Sequence, residues 1–299
     1  MFDMILLNGQ PFRLHRWGPE GASPVVLLHG FPEYGGAWAE LAAHLPGWRC
    51  LAPDQRGYGG SFAPDAVQDY ALRHLVSDMA ALIEQIGGPV PVVGHDWGAV
   101  VAYGLAIWRP DLVSHLVVIN GPHPGPFQRD AAAGGAQSAA LGYFRYLRAE
   151  GAEDRLEAED FARLRRLFAE GMDMSWLTGD RLAAYRAAWT GRARGMVNWY
   201  RASPLQVAEP GRPIANPHVL PPKAGRVACP HLVIWGMEDR VLLPGLLEGL
   251  GAYCPDLTIE RVPSADHWIC HQKPEQVAGL IDDWLRDRGA AQTGRPQRS

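Results

Sequence analysis

Residues 92–99 read Val92-Val93-Gly94-His95-Asp96-Trp97-Gly98-Ala99. The apolar run from Pro89 to Val93 breaks at Gly94, and Ala99 to Ala106 then reads as a helix. This is the strand, sharp turn and helix layout of a nucleophile elbow, with aspartate at the centre of Gly-x-Asp-x-Gly. Such a turn strains its central residue and crowds strand against helix, which the flanking glycines relieve. Asp96 is thereby expected to stand exposed at the sheet edge, beside the positive end of the following helix.

An aspartate there implies a particular order of events. Serine must lose a proton as it attacks, whereas a carboxyl group with a pKa of roughly 3.9 is already ionised at neutral pH. Attack on a saturated carbon gives an ester of the protein itself, and a histidine is left free to activate the water that hydrolyses it. Epoxide opening and halide displacement both suit that order; ordinary ester cleavage suits it poorly.

Other segments supply the remaining parts. Val25-Val26-Leu27-Leu28 is a short apolar strand entering His29-Gly30-Phe31-Pro32-Glu33. A loop of this kind offers one backbone N–H to an oxyanion, and the residue after the nucleophile offers another, so Phe31 and Trp97 are the expected donors. His29 reads as support for the loop, and Pro32 as a candidate for a cis peptide bond. Downstream, His231 to Gly236 is a strand leading to Met237-Glu238-Asp239, and Thr258 to Val262 is a last strand before Asp266-His267-Trp268. Asp239, three residues past the strand-closing glycine, is expected to orient His267, with Glu238 and His271 as the competing acid and histidine. His95 and His123 flank the site as supporting residues. Nucleophile, acid and histidine in this chain order are those of the α/β-hydrolase fold, a mostly parallel sheet flanked by helices.

Together, His29-Gly30-Phe31-Pro32, Asp54-Gln55-Arg56-Gly57-Tyr58-Gly59, Gly94-His95-Asp96-Trp97-Gly98 and Asp266-His267-Trp268 resemble the soluble epoxide hydrolases. The resemblance runs from about Pro24 to about Leu285 and also touches the haloalkane and haloacetate dehalogenases. It implies two cap tyrosines that hydrogen-bond the ring oxygen, one of them protonating it. One falls on Tyr200, in Asn198-Trp199-Tyr200-Arg201. The other falls on Tyr143, with Tyr146 as the alternative, in Tyr143-Phe144-Arg145-Tyr146. Trp97, Tyr143 and Tyr200 are then the substrate-binding residues. The dehalogenase reading is disfavoured by Phe31 where haloalkane dehalogenases use a carboxamide. It is further disfavoured by Trp97 and Val100 where fluoroacetate dehalogenases carry arginines. Asp266 departs from the family, in which glycine commonly precedes the histidine. A non-catalytic ligand receptor on the same fold is the third reading, and no part of the catalytic set is missing to favour it.

Composition sets the frame. The chain has 299 residues, 47% of them hydrophobic, enough to bury a substantial core. A net charge of −4 gives no long-range field for nucleic acid. Met1-Phe2-Asp3-Met4 lacks the basic start of a secretory signal, and no apolar run approaches the roughly 20 residues of a membrane span. Cys50, Cys229, Cys254 and Cys270 show neither metal spacing nor a disulfide framework. Together with the resemblance, this gives the expectation of a cytoplasmic enzyme, monomer or homodimer, acting on a small apolar epoxide with no cofactor and no metal. Strands and helices alternate up to about Ile119, and the strand signal then vanishes. Amphipathic stretches such as Asp160 to Gly171 and Gly179 to Thr190 follow. Residues 1–121 and 224–290 are thus expected to form the core, 122–223 a helical cap, and 291–299 a disordered tail.

Overall fold

The computed structural model describes residues 2–169 and 171–290; the expected tail, 291–299, lies outside them. Its strands are β1 (Phe2–Leu7), β2 (Gln10–Trp17), β3 (Ser23–Leu28), β4 (Trp48–Pro53), β5 (Val90–His95), β6 (Val113–Ile119), β7 (His231–Gly236) and β8 (Leu257–Val262). They form one sheet in the order β1-β2-β4-β3-β5-β6-β7-β8. The β1–β2 and β2–β4 pairs are antiparallel, and every later pair is parallel.

The apolar runs are continuous because the central strands are covered on both faces. Alternate residues go opposite ways: Val26, Leu28, Val92, Leu116, Val118 and Val233 enter one core. Val25, Leu27, Val93, Val117, Leu232 and Ile234 enter the other. The second core is closed by α1 (Ala39–Ala43) and by the last helix, Pro274–Asp287. The first is closed by α2 (Leu72–Ile86), by α3 (Trp97–Trp108) and by the segment between β6 and β7.

That segment is a helical insertion. Its helices are α4 (Pro124–Ala131), α5 (Ala136–Ala140), α6 (Tyr143–Arg148), α7 (Ala152–Ala169), α8 (Gly179–Trp189) and α9 (Ala193–Ala202). One expected helix, Asp160 to Gly171, differs. Helix α7 starts earlier and is broken at its middle, where Glu159, Asp160 and Phe161 all take left-handed backbone angles. The break turns Phe161 onto the Trp189 ring, 5.4 Å away, so burial of an aromatic overrides helical continuity. The Pro-rich return, residues 204–222, carries a single isolated bridge, Glu209 to Arg212. After β8 come α10 (Ile269–Gln272) and α11 (Pro274–Asp287). Among the described residues no helix is long and apolar enough to cross a membrane.

Because β3, β5, β6, β7 and β8 run parallel, their C-terminal ends share one sheet edge. The loops after them carry Phe31, Asp96, Asn120, Asp239 and His267, beneath the insertion. Ligands of open α/β sheets bind at such an edge.

Candidate active site

Asp96 has φ 51° and ψ −121°, the strained turn residue between β5 and α3. Close approach makes the strain possible. A Cβ on Gly98 would lie 2.0 Å from the Leu28 carbonyl oxygen, so only glycine lets α3 start this close to β3. A Cβ on Gly30 would lie 2.4 Å from Asp96 Oδ1, in the space the carboxylate occupies.

The two carboxylate oxygens of Asp96 are treated differently. Oδ1 accepts the Phe31 N–H at 2.8 Å, and the Trp97 N–H also faces the carboxylate. Oδ2 faces His267 Nε2 at 3.6 Å, beyond hydrogen-bond length. Burial pushes the Asp96 carboxyl above its ordinary pKa, against the pull of His267, His95 and the two N–H groups. The Phe31–Pro32 bond is cis. His29 holds this loop: Gln55 N–H donates to its Nε2 at 3.0 Å, its Nδ1 lies 3.0 Å from the Gly30 carbonyl, and burial lowers its pKa.

His267 Nδ1 lies 2.8 Å from Asp239 Oδ2. Burial would lower the His267 pKa, but Asp239, by charge and hydrogen bond, together with the Asp96 charge, carries it to about 9. Asp239 is itself immobilised: its Oδ1 accepts the Val241 and Leu242 N–H groups, both at 2.8 Å. Its Oδ2 also accepts Asn120 Nδ2 at 2.7 Å. Asn120 is a site residue that sequence reasoning missed. It closes β6 with φ 36° and also accepts the Gly236 N–H at 2.7 Å, which ties the acid's loop to the sheet. Its signal was a lone amide ending the apolar run Val113–Ile119. The competitor Glu238 is exposed.

A second missed residue is Glu33, buried behind the histidine. It receives His271 Nε2 at 2.6 Å, Tyr185 OH at 2.8 Å and His95 Nδ1 at 3.1 Å. Burial would raise its pKa; His271 and His95 hold it well below the usual carboxylate range. The other nitrogen of His95 lies 2.9 Å from the His267 carbonyl. His271 therefore braces this network and is not a second base at Asp96. His123 caps α4 through the Gly125 N–H, away from Asp96.

Asp266 is buried. Its oxygens accept the Trp268 N–H at 2.8 Å and, from the insertion, the Asp173 N–H at 2.9 Å. Beside it the Trp176 ring stacks on His271, centroids 3.9 Å apart. The loop after α7 is thus fastened to the loop that carries His267.

A cavity of about 500 Å³ opens over Asp96 and is walled by Phe31, His267, Tyr143 and Tyr200. Tyr143 starts α6, and Tyr200 lies on the buried face of α9. Arg148 ties α6 to α9: it donates to the carbonyl of Tyr200 in the last turn of α9 and to those of Ser203 and Leu205 just past it. The two tyrosine rings lie 5.9 Å apart edge-on and their hydroxyls interact. Tyr146 is elsewhere, its ring under Arg155 and Arg163. Trp97 packs edge-on 5.2 Å from Tyr200 and lines a small adjoining cavity rather than the main one. Trp189 and Trp199 donate to the Pro32 and Arg56 carbonyls and fix the insertion to the core.

Residues 23–274 match the model of the family described as alpha/beta hydrolase fold. The chain belongs to that family. It is 32% identical to the AB hydrolase superfamily protein YfhM of Bacillus subtilis, over 96% of this chain and 98% of that one. A solved epoxide hydrolase from metagenomes of hot environments is 32% identical, covers 95% of this chain and 98% of its own, and superposes with a TM-score of 0.86. A variant of the Bacillus megaterium epoxide hydrolase, solved with its product (R)-3-[1]naphthyloxy-propane-1,2-diol, is 27% identical. It covers 95% of this chain and all of its own, with a TM-score of 0.84.

Proposed function

We propose that this chain hydrolyses epoxides to vicinal diols through a covalent ester on Asp96. The observation that carries the reading is the pair Tyr143 and Tyr200 in the same cavity wall as Asp96. Burial first, and then nearby groups including the Asp96 charge, push both phenols well above their ordinary pKa. They keep their protons at neutral pH and can donate to an oxygen that becomes an alkoxide. A departing halide needs no such proton, so the tyrosines favour the epoxide over the halide. The family relatives solved as epoxide hydrolases, one with a vicinal diol bound, support the same choice.

In the first step Asp96 Oδ2 attacks the less hindered ring carbon, and the broken C–O bond leaves its electrons on the ring oxygen. Tyr143 or Tyr200 protonates that oxygen, giving a hydroxyalkyl ester and a tyrosinate. In the second step His267 first gives its proton to the tyrosinate; the neutral imidazole then takes a proton from water, and the hydroxide adds to the Asp96 carboxyl carbon. The Phe31 N–H, on Oδ1, and the Trp97 N–H, facing the same carboxylate, stabilise the oxyanion. Collapse releases the diol, whose new hydroxyl takes the proton of the reformed carboxyl group. The cycle closes with His267 protonated by the water's proton and the tyrosine neutral, and Asp96 retains an oxygen from water.

The test is His267→Gln exposed to a terminal epoxide. The intact mass is expected to rise by that of the epoxide, with the added mass mapping to Asp96. A mass that stays unchanged while the wild-type protein turns over the same compound overturns the ester.

A further inference from the structure

Part of the cavity wall is carried by a loop rather than a helix. Gly171 and Met172 line the cavity, and they belong to the loop 171–177 between α7 and α8. The wall residues Ala139 and Ala140 are more firmly placed. They end α5, whose buried Gln137 donates to the Val241 carbonyl and accepts the Leu243 N–H, both at 2.9 Å.

The loop is held at both ends and in the middle. At its start Gly171 takes φ 76° beneath the Arg240 side chain, where a Cβ would lie 3.0 Å from Arg240 Cδ. Near its end Trp176 stacks on His271. Between them the Asp173 N–H donates to Asp266 Oδ2 at 2.9 Å. The other hydrogen bonds of this loop among the described residues are local. Ser175 N and Oγ donate to the Asp173 carboxylate, and the Met172 and Leu177 N–H groups donate to the Ala169 and Met174 carbonyls. Asp266 is itself well fixed in the loop of His267. Its Oδ1 accepts the Trp268 N–H at 2.8 Å, and its own N–H donates to Gln272 Oε1 at 3.0 Å. Both carboxylate oxygens are therefore occupied, one within the core loop and one across to the insertion. Asparagine at 266 would offer one such acceptor and glycine none.

We propose that Asp266 is a positioning residue that sets how broad a substituent the cavity admits. By holding the Asp173 N–H it fixes the adjoining wall, Gly171 and Met172, against the loop that carries His267. The inference rests on the epoxide reading for the nature of the substrate, and the wall itself is independent of the chemistry. With the bond made, the wall stays close and favours a flat substituent that it can touch. With the bond broken, the wall can back away, so a flat substituent loses contacts and a globular one gains room.

Two variants break the same bond from opposite ends. Asp266→Asn removes one acceptor, whereas Asp173→Pro removes the donor and leaves Asp266 and the His267 loop intact. Residue-resolved hydrogen exchange at the Met172 and Leu177 amides is expected to quicken by about tenfold in both, the lower range for a bond to a charged acceptor. Asp173→Asn keeps the N–H and is expected to exchange as the wild type does. Diols then read the wall without chemistry. The ratio of the Kd values for 3-phenoxypropane-1,2-diol and 3-(1-adamantyloxy)propane-1,2-diol is expected to move about tenfold in favour of the adamantyl compound in both variants. With the matching terminal epoxides the shift is expected in KM rather than kcat. Unchanged exchange, or faster exchange with an unchanged binding ratio, overturns the inference. A shifted binding ratio in a protein whose wild type opens neither epoxide overturns the epoxide function and leaves the role of Asp266 standing.

Discussion

His267 Nε2 faces Asp96 Oδ2 across 3.6 Å, a contact of charge rather than a hydrogen bond. This spacing couples the two halves of the proposed cycle. While Asp96 is ionised it helps hold His267 protonated, with a pKa of about 9. Esterification removes that negative charge, so the histidine loses one of the three carboxylates, Asp239, Asp96 and Glu33, that sustain its proton. The base becomes available when there is an ester to hydrolyse.

Asp96→Asn reproduces the neutral ester in charge and shape. The His267 pKa, followed by NMR of its ring protons, is expected near 9 in the wild type and lower in the variant. A shared value would remove Asp96 from the coupling. The sign carries to stability as well. A histidine whose folded pKa is raised stabilises fully below about pH 6.5 and loses that contribution as pH rises through about 9. Asp96→Asn is expected to flatten that alkaline decline.

The tyrosines predict a kinetic split. Tyr200→Phe removes one donor to the ring oxygen and leaves Tyr143 in place, so alkylation is expected to slow by about 10²-fold, the lower end for acid catalysis. The double change of Tyr143 and Tyr200 to Phe is expected to cost considerably more than either single change. Stopped-flow measurement separates formation of the ester from its hydrolysis, and only the first is expected to fall. A loss confined to hydrolysis would move the tyrosines out of the first step.

What was legible in the sequence were the parts fixed by local chemistry. The elbow around Asp96 needs glycine at 94 and 98, and the buried strands announce themselves as unbroken apolar runs. What was not legible were contacts between distant segments. Glu33 and His271 meet across 238 positions, and nothing near either residue specifies the other. Asp266 was visible as a departure, yet its partner is a backbone N–H on the insertion, which any residue type supplies. Asn120 gave a faint local sign, whereas its role depends on where Asp239 sits. The choice between Tyr143 and Tyr146 turned on the helical phase of α6, six residues long and too short to show a periodicity.

The last prediction concerns acid. His123 and His231 are buried against Tyr103, with ring centroids 4.9 and 5.3 Å from it. Each has one nitrogen near a backbone carbonyl, Gly225 for His123 at 2.9 Å and Leu116 for His231 at 3.1 Å. The other nitrogen serves as acceptor for the Gly125 N–H in His123. In His231 it faces the Tyr103 hydroxyl at 3.0 Å. Both rings are thus held neutral, and burial takes each pKa down to about 4. In the unfolded chain each titrates near 6.5, so the unfolded state binds more protons between pH 6.5 and 4. Stability is complete above about pH 6.5 and declines as pH falls toward 4, by roughly 3 kcal/mol for each ring at 1.36 kcal/mol per pKa unit. That is a large share of the 5–15 kcal/mol typical of a folded domain. Urea midpoints measured between pH 7.5 and 4 are expected to fall steeply in this window. His231→Gln, which keeps an amide donor and acceptor without a titrating group, is expected to lower the midpoint at pH 7.5 and to shallow the decline. An unaltered slope in the variant would show that His231 takes up no proton on unfolding.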